Sequence, residues 1–227
     1  MSRPGDGPAG AGRALGIYDA LLFDMDGTIL TSDAAVARAW TAWAGRAGAP
    51  VGEVLAWMHG RTARDSISRF APPGADLAAE IGWLNDLELR DVDGIAPLEG
   101  AGALLAALPP RRWAVVTSAN RGLALRRIAA AGLPVPGVLV SSDDVARGKP
   151  DPEGYRRAAG ALGVDGARCL VFEDAEAGIA AGLAAGAEVL RIGDPSRPTA
   201  HPVRATVASY ARLKVGEAAG GGIGVSI

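Results

Sequence analysis

An apolar run at residues 18 to 23, Tyr18 followed by Ala20-Leu21-Leu22-Phe23, ends abruptly in Asp24-Met25-Asp26-Gly27-Thr28. A short, continuous apolar run of this kind reads as a strand buried on both faces, the type found in parallel sheets flanked by helices. In such sheets ligands bind beyond the carboxyl ends of the strands. The two aspartates are therefore delivered to the mouth of a site while Gly27 turns the chain away. Carboxylates this close repel, and each is driven toward its neutral form unless a cation lies between them. A divalent metal is the natural partner. Mg²⁺ is held by one or two carboxylates and completed by water and phosphate oxygens, which leaves one aspartate free as a nucleophile. An acidic turn after a strand is the alternative, because Asp and Gly are ordinary turn formers.

Beyond Thr28 the pattern turns helical. Ser32 or Asp33 can cap a stretch with Val36, Trp40 and Trp43 at helical spacing, and Val51–Met58, Thr62–Phe70 and Ala75–Arg90 read as three more helices. Ala49-Pro50, His59-Gly60 and Pro72-Pro73-Gly74 break them. From Pro97 apolar runs at Trp113–Val116, Val138–Val140, Cys169–Phe172 and Val189–Ile192 alternate with helical stretches at Glu99–Leu108, Arg121–Ala131, Pro152–Leu162 and Ala175–Ala185. Alternation of this kind predicts a parallel sheet with helices on both faces. The expected architecture is α/β: a three-layer Rossmann-like core over 17–32 and 95–215, interrupted by a helical-bundle insertion over 33–94. The Gly- and Pro-rich residues 1–16 and the Gly220-Gly221-Gly222 region of 216–227 read as tails.

Composition narrows the function. Of 227 residues 49% are hydrophobic, enough for a full core, and the net charge of -2 comes with no block of like charge. Nucleic acid and anionic membranes are thereby poor partners. No run is long enough to span a bilayer, and residues 1–16 lack the pattern of a signal or transit peptide. The single cysteine, Cys169, sits in a strand-like run and excludes a disulfide framework, which suits the reducing cytoplasm. A monomer or weak dimer is expected.

Three further polar clusters fall at strand ends or in nearby loops. Thr117-Ser118 follows Trp113–Val116, so hydroxyls and free backbone N–H groups face the same mouth and can bind phosphate oxygens. Helix capping is their other use. Lys149 is one of two lysines in a chain that otherwise uses arginine. Its ammonium can neutralise both an aspartate and a phosphoryl oxygen, unless it is an exposed loop lysine. Glu173-Asp174 follows Leu170-Val171-Phe172 and can complete a metal site, Asp174 as ligand and Glu173 as ligand or supporting acceptor, or, taken without partners, can cap the following helix.

Taken in order, these clusters resemble the motifs of the haloacid dehalogenase superfamily, whose members are mostly phosphatases; the likeness spans about Ile17 to Leu213. Asp24-Met25-Asp26-Gly27-Thr28 resembles the first motif and Thr117-Ser118 the second. Lys149-Pro150-Asp151-Pro152 resembles the third, and Glu173-Asp174-Ala175-Glu176-Ala177-Gly178 the fourth. The insertion resembles the small helical cap of the subgroup containing sugar phosphatases and beta-phosphoglucomutase. The resemblance implies that Asp24 becomes an aspartyl phosphate and that Asp26 is general acid and base. It implies Mg²⁺ held by Asp24, the Asp26 backbone carbonyl and Asp174 with Glu173 close by, and a transferring group held by Thr117, Ser118 and Lys149.

The most polar stretch of the insertion, Met58 to Ile67, resembles the substrate-facing turn of hexitol, sugar and glycerol phosphatases, with His59, Arg61, Arg64 and Asp65 as candidates for the leaving group. A solvated helix start capped by Thr62 and Asp65 is the other reading. The insertion contains no lysine, so Schiff-base chemistry has no carrier. Val36 stands about where beta-phosphoglucomutases carry a histidine, which favours hydrolysis over mutase action. Thr31-Ser32 replaces the Asp-Ser common in sugar phosphatases. The expectation is a Mg²⁺-dependent phosphatase of small sugar or polyol phosphates. A sugar-phosphate mutase and a non-catalytic protein that binds such metabolites are the alternatives.

Overall fold

A computed structural model describes residues 13–218 and 220–227. The parallel sheet is built from β2 (Ala20–Phe23), β5 (Trp113–Val116), β6 (Leu139–Val140), β7 (Cys169–Glu173), β8 (Glu188–Ile192) and β9 (Ala205–Val207). Their spatial order is β6-β5-β2-β7-β8-β9, and every neighbouring pair is parallel. The chain steps outward from β2 to one side and then crosses to the other beginning at β7. Adjacent strands β2 and β7 thus form the topological switch point, where open α/β sheets bind their ligands.

Side chains alternate across β2 because strand geometry has a period of two. Leu21 and Phe23 join a core with Leu104 and Leu105 of α5 (Ala101–Ala107) and Ala124 and Ile128 of α6 (Arg121–Ala130). Ala20 and Leu22 face the opposite way, toward Tyr155 and Ala158 of α7 (Glu153–Leu162) and Ile179 and Ala181 of α8 (Glu176–Ala184). The result is the three-layer α/β arrangement expected from the alternation.

Between β3 (Leu30–Thr31) and β4 (Ala96–Pro97), which pair antiparallel, the chain forms α1 (Asp33–Ala47), α2 (Val51–Met58), α3 (Ala63–Phe70) and α4 (Leu77–Arg90). These helices close their own small core around Trp40, Trp43, Val54, Met58, Ile67 and Leu84. Asp76 starts α4 by accepting hydrogen bonds from the N–H groups of Ala78 and Ala79.

Two expectations need correction. The run from Tyr18 to Phe23 is not one strand: β1 (Ala14–Tyr18) ends at Asp19, and β2 begins in a different sheet. Asp19 makes the break, its N–H bonded to the Arg168 carbonyl and its carboxylate paired with the Arg168 guanidinium at 3.1 Å. Nor does 216–227 form a tail. β10 (Lys214–Glu217) and β11 (Ile223–Ser226) make a hairpin, with β11 central between β1 and β10 in a three-stranded antiparallel sheet. Ile223 and Val225 are buried against Leu15 and Tyr18, and that apolar pairing is what the glycines around residue 221 obscured. Residues 14–16 of the expected leading tail belong to β1, while residues 1–12 lie outside the described residues.

Candidate active site

Three strand ends and one loop meet at the switch point. Asp24 follows β2, with its N–H bonded to the Phe172 carbonyl of β7 at 3.0 Å. Thr117 and Ser118 follow β5, and Glu173 ends β7 with Asp174 next. Lys149 arrives on the loop between β6 and α7 and is buried, 6% exposed. Its Nζ donates to Asp24 Oδ1 at 2.5 Å, to Glu173 Oε1 at 2.6 Å and to the Val116 carbonyl at 3.2 Å. All three ammonium donors are engaged, so Lys149 is the buried cation of the cluster.

Glu173 is fully buried and its carboxylate is saturated. Oε1 accepts from Lys149 and from the Tyr155 hydroxyl at 2.9 Å, and Oε2 accepts from the N–H groups of Asp174 and Ala175 at 3.0 and 3.1 Å. Gly178 makes room for it: a Cβ there would come within 1.6 Å of Glu173 Oε1. Gly27, at φ 79°, plays the same part for Asp174, whose Oδ2 would lie 2.2 Å from an added Cβ.

The charge balance of the cluster suits a bound cation. Asp24, Glu173 and Asp174 each offer an oxygen within 4.8 Å of the others, and Lys149 alone cannot neutralise three carboxylates. Burial pushes Asp24 up to about 7, against the pull of Lys149 and with added repulsion from Glu173. Asp174 opens onto the cavity, yet enclosure by the surrounding protein and the carboxylates of Asp24 and Glu173 also push it well above the usual range. Burial draws Lys149 down, but Asp24 and Glu173 outweigh it and hold the ammonium charged. An oxygen-rich, electron-dense cluster with a net negative excess fits a hard divalent ion. The acidic cluster can hold a metal.

Asp26 points elsewhere. Ser32 donates to its Oδ1 at 2.5 Å and Arg127 to its Oδ2 at 2.9 Å. A second Arg127 nitrogen donates to Glu88 of α4, also at 2.9 Å. Asp26 lines a cavity of about 460 Å³ between the helical insertion and the sheet, together with Ser118, Asp174, His59, Arg61, Arg64 and Asp65. Thr117 and Lys149 line a smaller recess beside it. Ser118 spends its hydroxyl on the insertion, donating to the Gly60 carbonyl at 2.9 Å, while Thr117 Oγ1 accepts from the Ala119 N–H. Within the polar turn, Arg61 lies on the Trp57 ring at 4.0 Å. Thr62 caps α3 and shares a reciprocal pair of hydrogen bonds with Asp65. Both readings of that turn coexist: it begins a helix and it walls the cavity.

Comparison with known proteins decides the family. The haloacid dehalogenase-like hydrolase family matches residues 18–186. The chain belongs to the haloacid dehalogenase-like hydrolases. It is similar to the hexitol phosphatase A of Escherichia coli, 44% identical over 179 residues, spanning 77% of this chain and 83% of the relative. It also resembles the validoxylamine A 7'-phosphate phosphatase of Streptomyces hygroscopicus subsp. limoneus, 39% identical over 75% of this chain and 83% of that one. The crystal structure of beta-phosphoglucomutase from Clostridium difficile shares the fold, with a TM-score of 0.76 at 21% identity over 87% of this chain and 93% of that one. The protein is an enzyme, a phosphoric monoester hydrolase of the haloacid dehalogenase type.

Among the polar residues that sequence reasoning overlooked at this hydrolase's cavity are Asn85, Glu88 and Arg127. A signal existed for two of them. Glu88 is one helical turn from the buried Leu84 on α4, and Arg127 shares the buried face of α6 with Leu123, Ala124 and Ile128. Charge at core-facing positions of two helices is a marker of a buried pair. Cys169 is buried and burial pushes its thiol up to about 11, so it packs as a small hydrophobe.

Proposed function

We propose that the enzyme hydrolyses phosphate monoesters of small sugars or polyols through an aspartyl phosphate on Asp24. The observation that carries this reading is the buried Lys149 held between Asp24 and Glu173 at the switch point, in an acidic cluster where Asp24 and Asp174 keep oxygens close enough to share a metal. The similarity to hexitol phosphatase A and the polar cavity walls support the substrate class.

In the first half-reaction an Asp24 oxygen forms a bond to phosphorus as the bond to the leaving oxygen breaks, and the Asp26 carboxyl gives that oxygen its proton. In the second, the Asp26 carboxylate takes a proton from water, the water oxygen bonds to phosphorus and the Asp24–phosphorus bond breaks. Mg²⁺, when bound by Asp24, the Asp26 carbonyl and Asp174, supplies charge neutralisation for the phosphoryl oxygens. Lys149, its three donors committed, holds Asp24 and lends its charge to the transferring group, and the Thr117 hydroxyl hydrogen and the Ser118 N–H remain to donate to it. Glu173, with its lone pairs already committed, positions Lys149 and the Asp174 backbone rather than binding the ion itself. His59, Arg61, Arg64 and Asp65 face the leaving group from the insertion. A free, buried thiol suits a reducing cytoplasm, where the enzyme would act as a monomer or weak dimer.

Phosphate release from a panel of hexose, hexitol and glycerol phosphates tests the proposal. Release that needs Mg²⁺ and vanishes in Asp24→Asn is expected; an Asp24→Asn enzyme with unchanged turnover contradicts it. Incubation with beta-glucose 1-phosphate that yields an isomer without phosphate loss would mean a mutase instead. Tight binding of these esters with no turnover would mean a metabolite-binding protein.

A further inference from the structure

Both oxygens of Asp26 are held by groups tied to the helical insertion. Ser32, which holds Oδ1, immediately precedes α1, the first helix of the insertion. Arg127, which holds Oδ2, belongs to the core helix α6, and its other arm grips Glu88 on the last insertion helix, α4. The pair is sequestered: the side chains of Arg127 and Glu88 are 5% and 7% exposed, whereas Asp26 keeps 28% exposure on the cavity side. Arg127 Nε has no partner among the described residues, where the guanidinium is committed to these two carboxylates.

A plain structural role does not account for this arrangement. A buried ion pair is weak evidence for stability, since well-packed apolar residues of similar volume often serve as well. What an arginine fork supplies is geometry, two carboxylates fixed relative to one rigid plane. Here one of the two lies on the insertion and the other is the side chain that, on the reading proposed above, carries the proton.

We infer that Arg127 is a positioning residue that fixes the Asp26 carboxylate and, through Glu88, makes that placement depend on the docking of α4 against α6. Proton delivery and closure of the insertion then become a single event. When α4 is docked, the fork spans Glu88 and Asp26, and the Asp26 carboxyl is aimed along the cavity wall. When α4 lifts away, the guanidinium loses one carboxylate and the aim is lost.

The test compares two esters under single-turnover conditions, because only one of them needs the proton. An alkyl leaving group, such as the alcohol of a hexitol phosphate, must be protonated as it departs, whereas nitrophenolate leaves without help. The inference, which rests on the phosphatase reading, expects Arg127→Met to slow alcohol release on the order of 10²-fold while the nitrophenolate burst stays within about threefold. Arg127→Lys keeps the charge without the fork and should recover part of the loss. Glu88→Gln should reproduce the same selectivity to a smaller degree, and carries the comparison if Arg127→Met does not fold. An equal fall on both esters, or no fall on either, overturns the inference. If the wild-type enzyme releases neither product, the phosphatase reading is what fails, and hydrogen exchange then decides the coupling. Glu88→Gln must speed amide exchange in α4 and in residues 25–30 together; faster exchange confined to α4 overturns it.

Discussion

At the scale of single residues, the site is an electrostatic problem left half solved by the protein. Lys149 divides its single charge between two of three clustered carboxylates, and burial leaves Asp24 raised to about 7. A carboxyl whose folded value is raised contributes stability below its unfolded value near 4, and that contribution is lost as pH rises through about 7. In the metal-free enzyme Asp24→Asn should therefore raise Tm by about 3–8 °C at pH 8 and by much less at pH 5, as thermal unfolding with chelator would show. An Asp24→Asn gain independent of pH would contradict the assignment of the strain to this carboxylate. Gly178→Ala forces a methyl group into the Glu173 carboxylate and should cost roughly 3 kcal/mol or more, read as lost Tm together with weakened Mg²⁺ binding. Most of these residues were legible in the sequence because each motif is local: Asp24-Met25-Asp26, Thr117-Ser118, Lys149 and Glu173-Asp174 each follow an apolar run. Arg127 and Glu88 were not, because their meaning comes from a contact between helices 39 residues apart in the chain.

At the scale of elements, long periodic segments were readable and short ones were not. The four insertion helices carry an apolar stripe, with Trp40, Trp43, Val54 and Leu84 at helical spacing, and their boundaries lie within a residue or two of the expected ones. β3, β4 and β9 are two or three residues long, too short to display any period. Residues 216–227 read as a tail because glycine-rich text resembles a linker, although Ile223 and Val225 alternate as a strand should. Ending the chain after Glu217 removes the central strand of the three-stranded sheet and exposes Leu15 and Tyr18. Losing two buried side chains at ~1.5–3 kcal/mol each should lower Tm on the order of 10 °C in differential scanning calorimetry. An unchanged Tm would mean that the hairpin contributes nothing to the core.

At the scale of the whole molecule, two bodies with separate apolar cores meet across one polar cavity. The sheet delivers the reacting groups and the insertion supplies His59, Arg61, Arg64, Asn85 and Glu88 to the opposite wall. Arg64 lines the insertion side of the cavity and has no carboxylate partner among the described residues, so Arg64→Ala should raise KM for a hexitol phosphate about tenfold with kcat nearly unchanged. A fall in kcat alone would place Arg64 in the chemistry instead. The parallel sheet was legible from strand and helix alternation, whereas the cavity's shape was not, because it depends on how two independently folded cores dock. The most direct test of the central claim is mass spectrometry of acid-quenched enzyme during turnover of a sugar phosphate. A phosphoryl group on Asp24 that rises and decays with turnover is predicted; sustained turnover with no adduct on Asp24 at any time would contradict it.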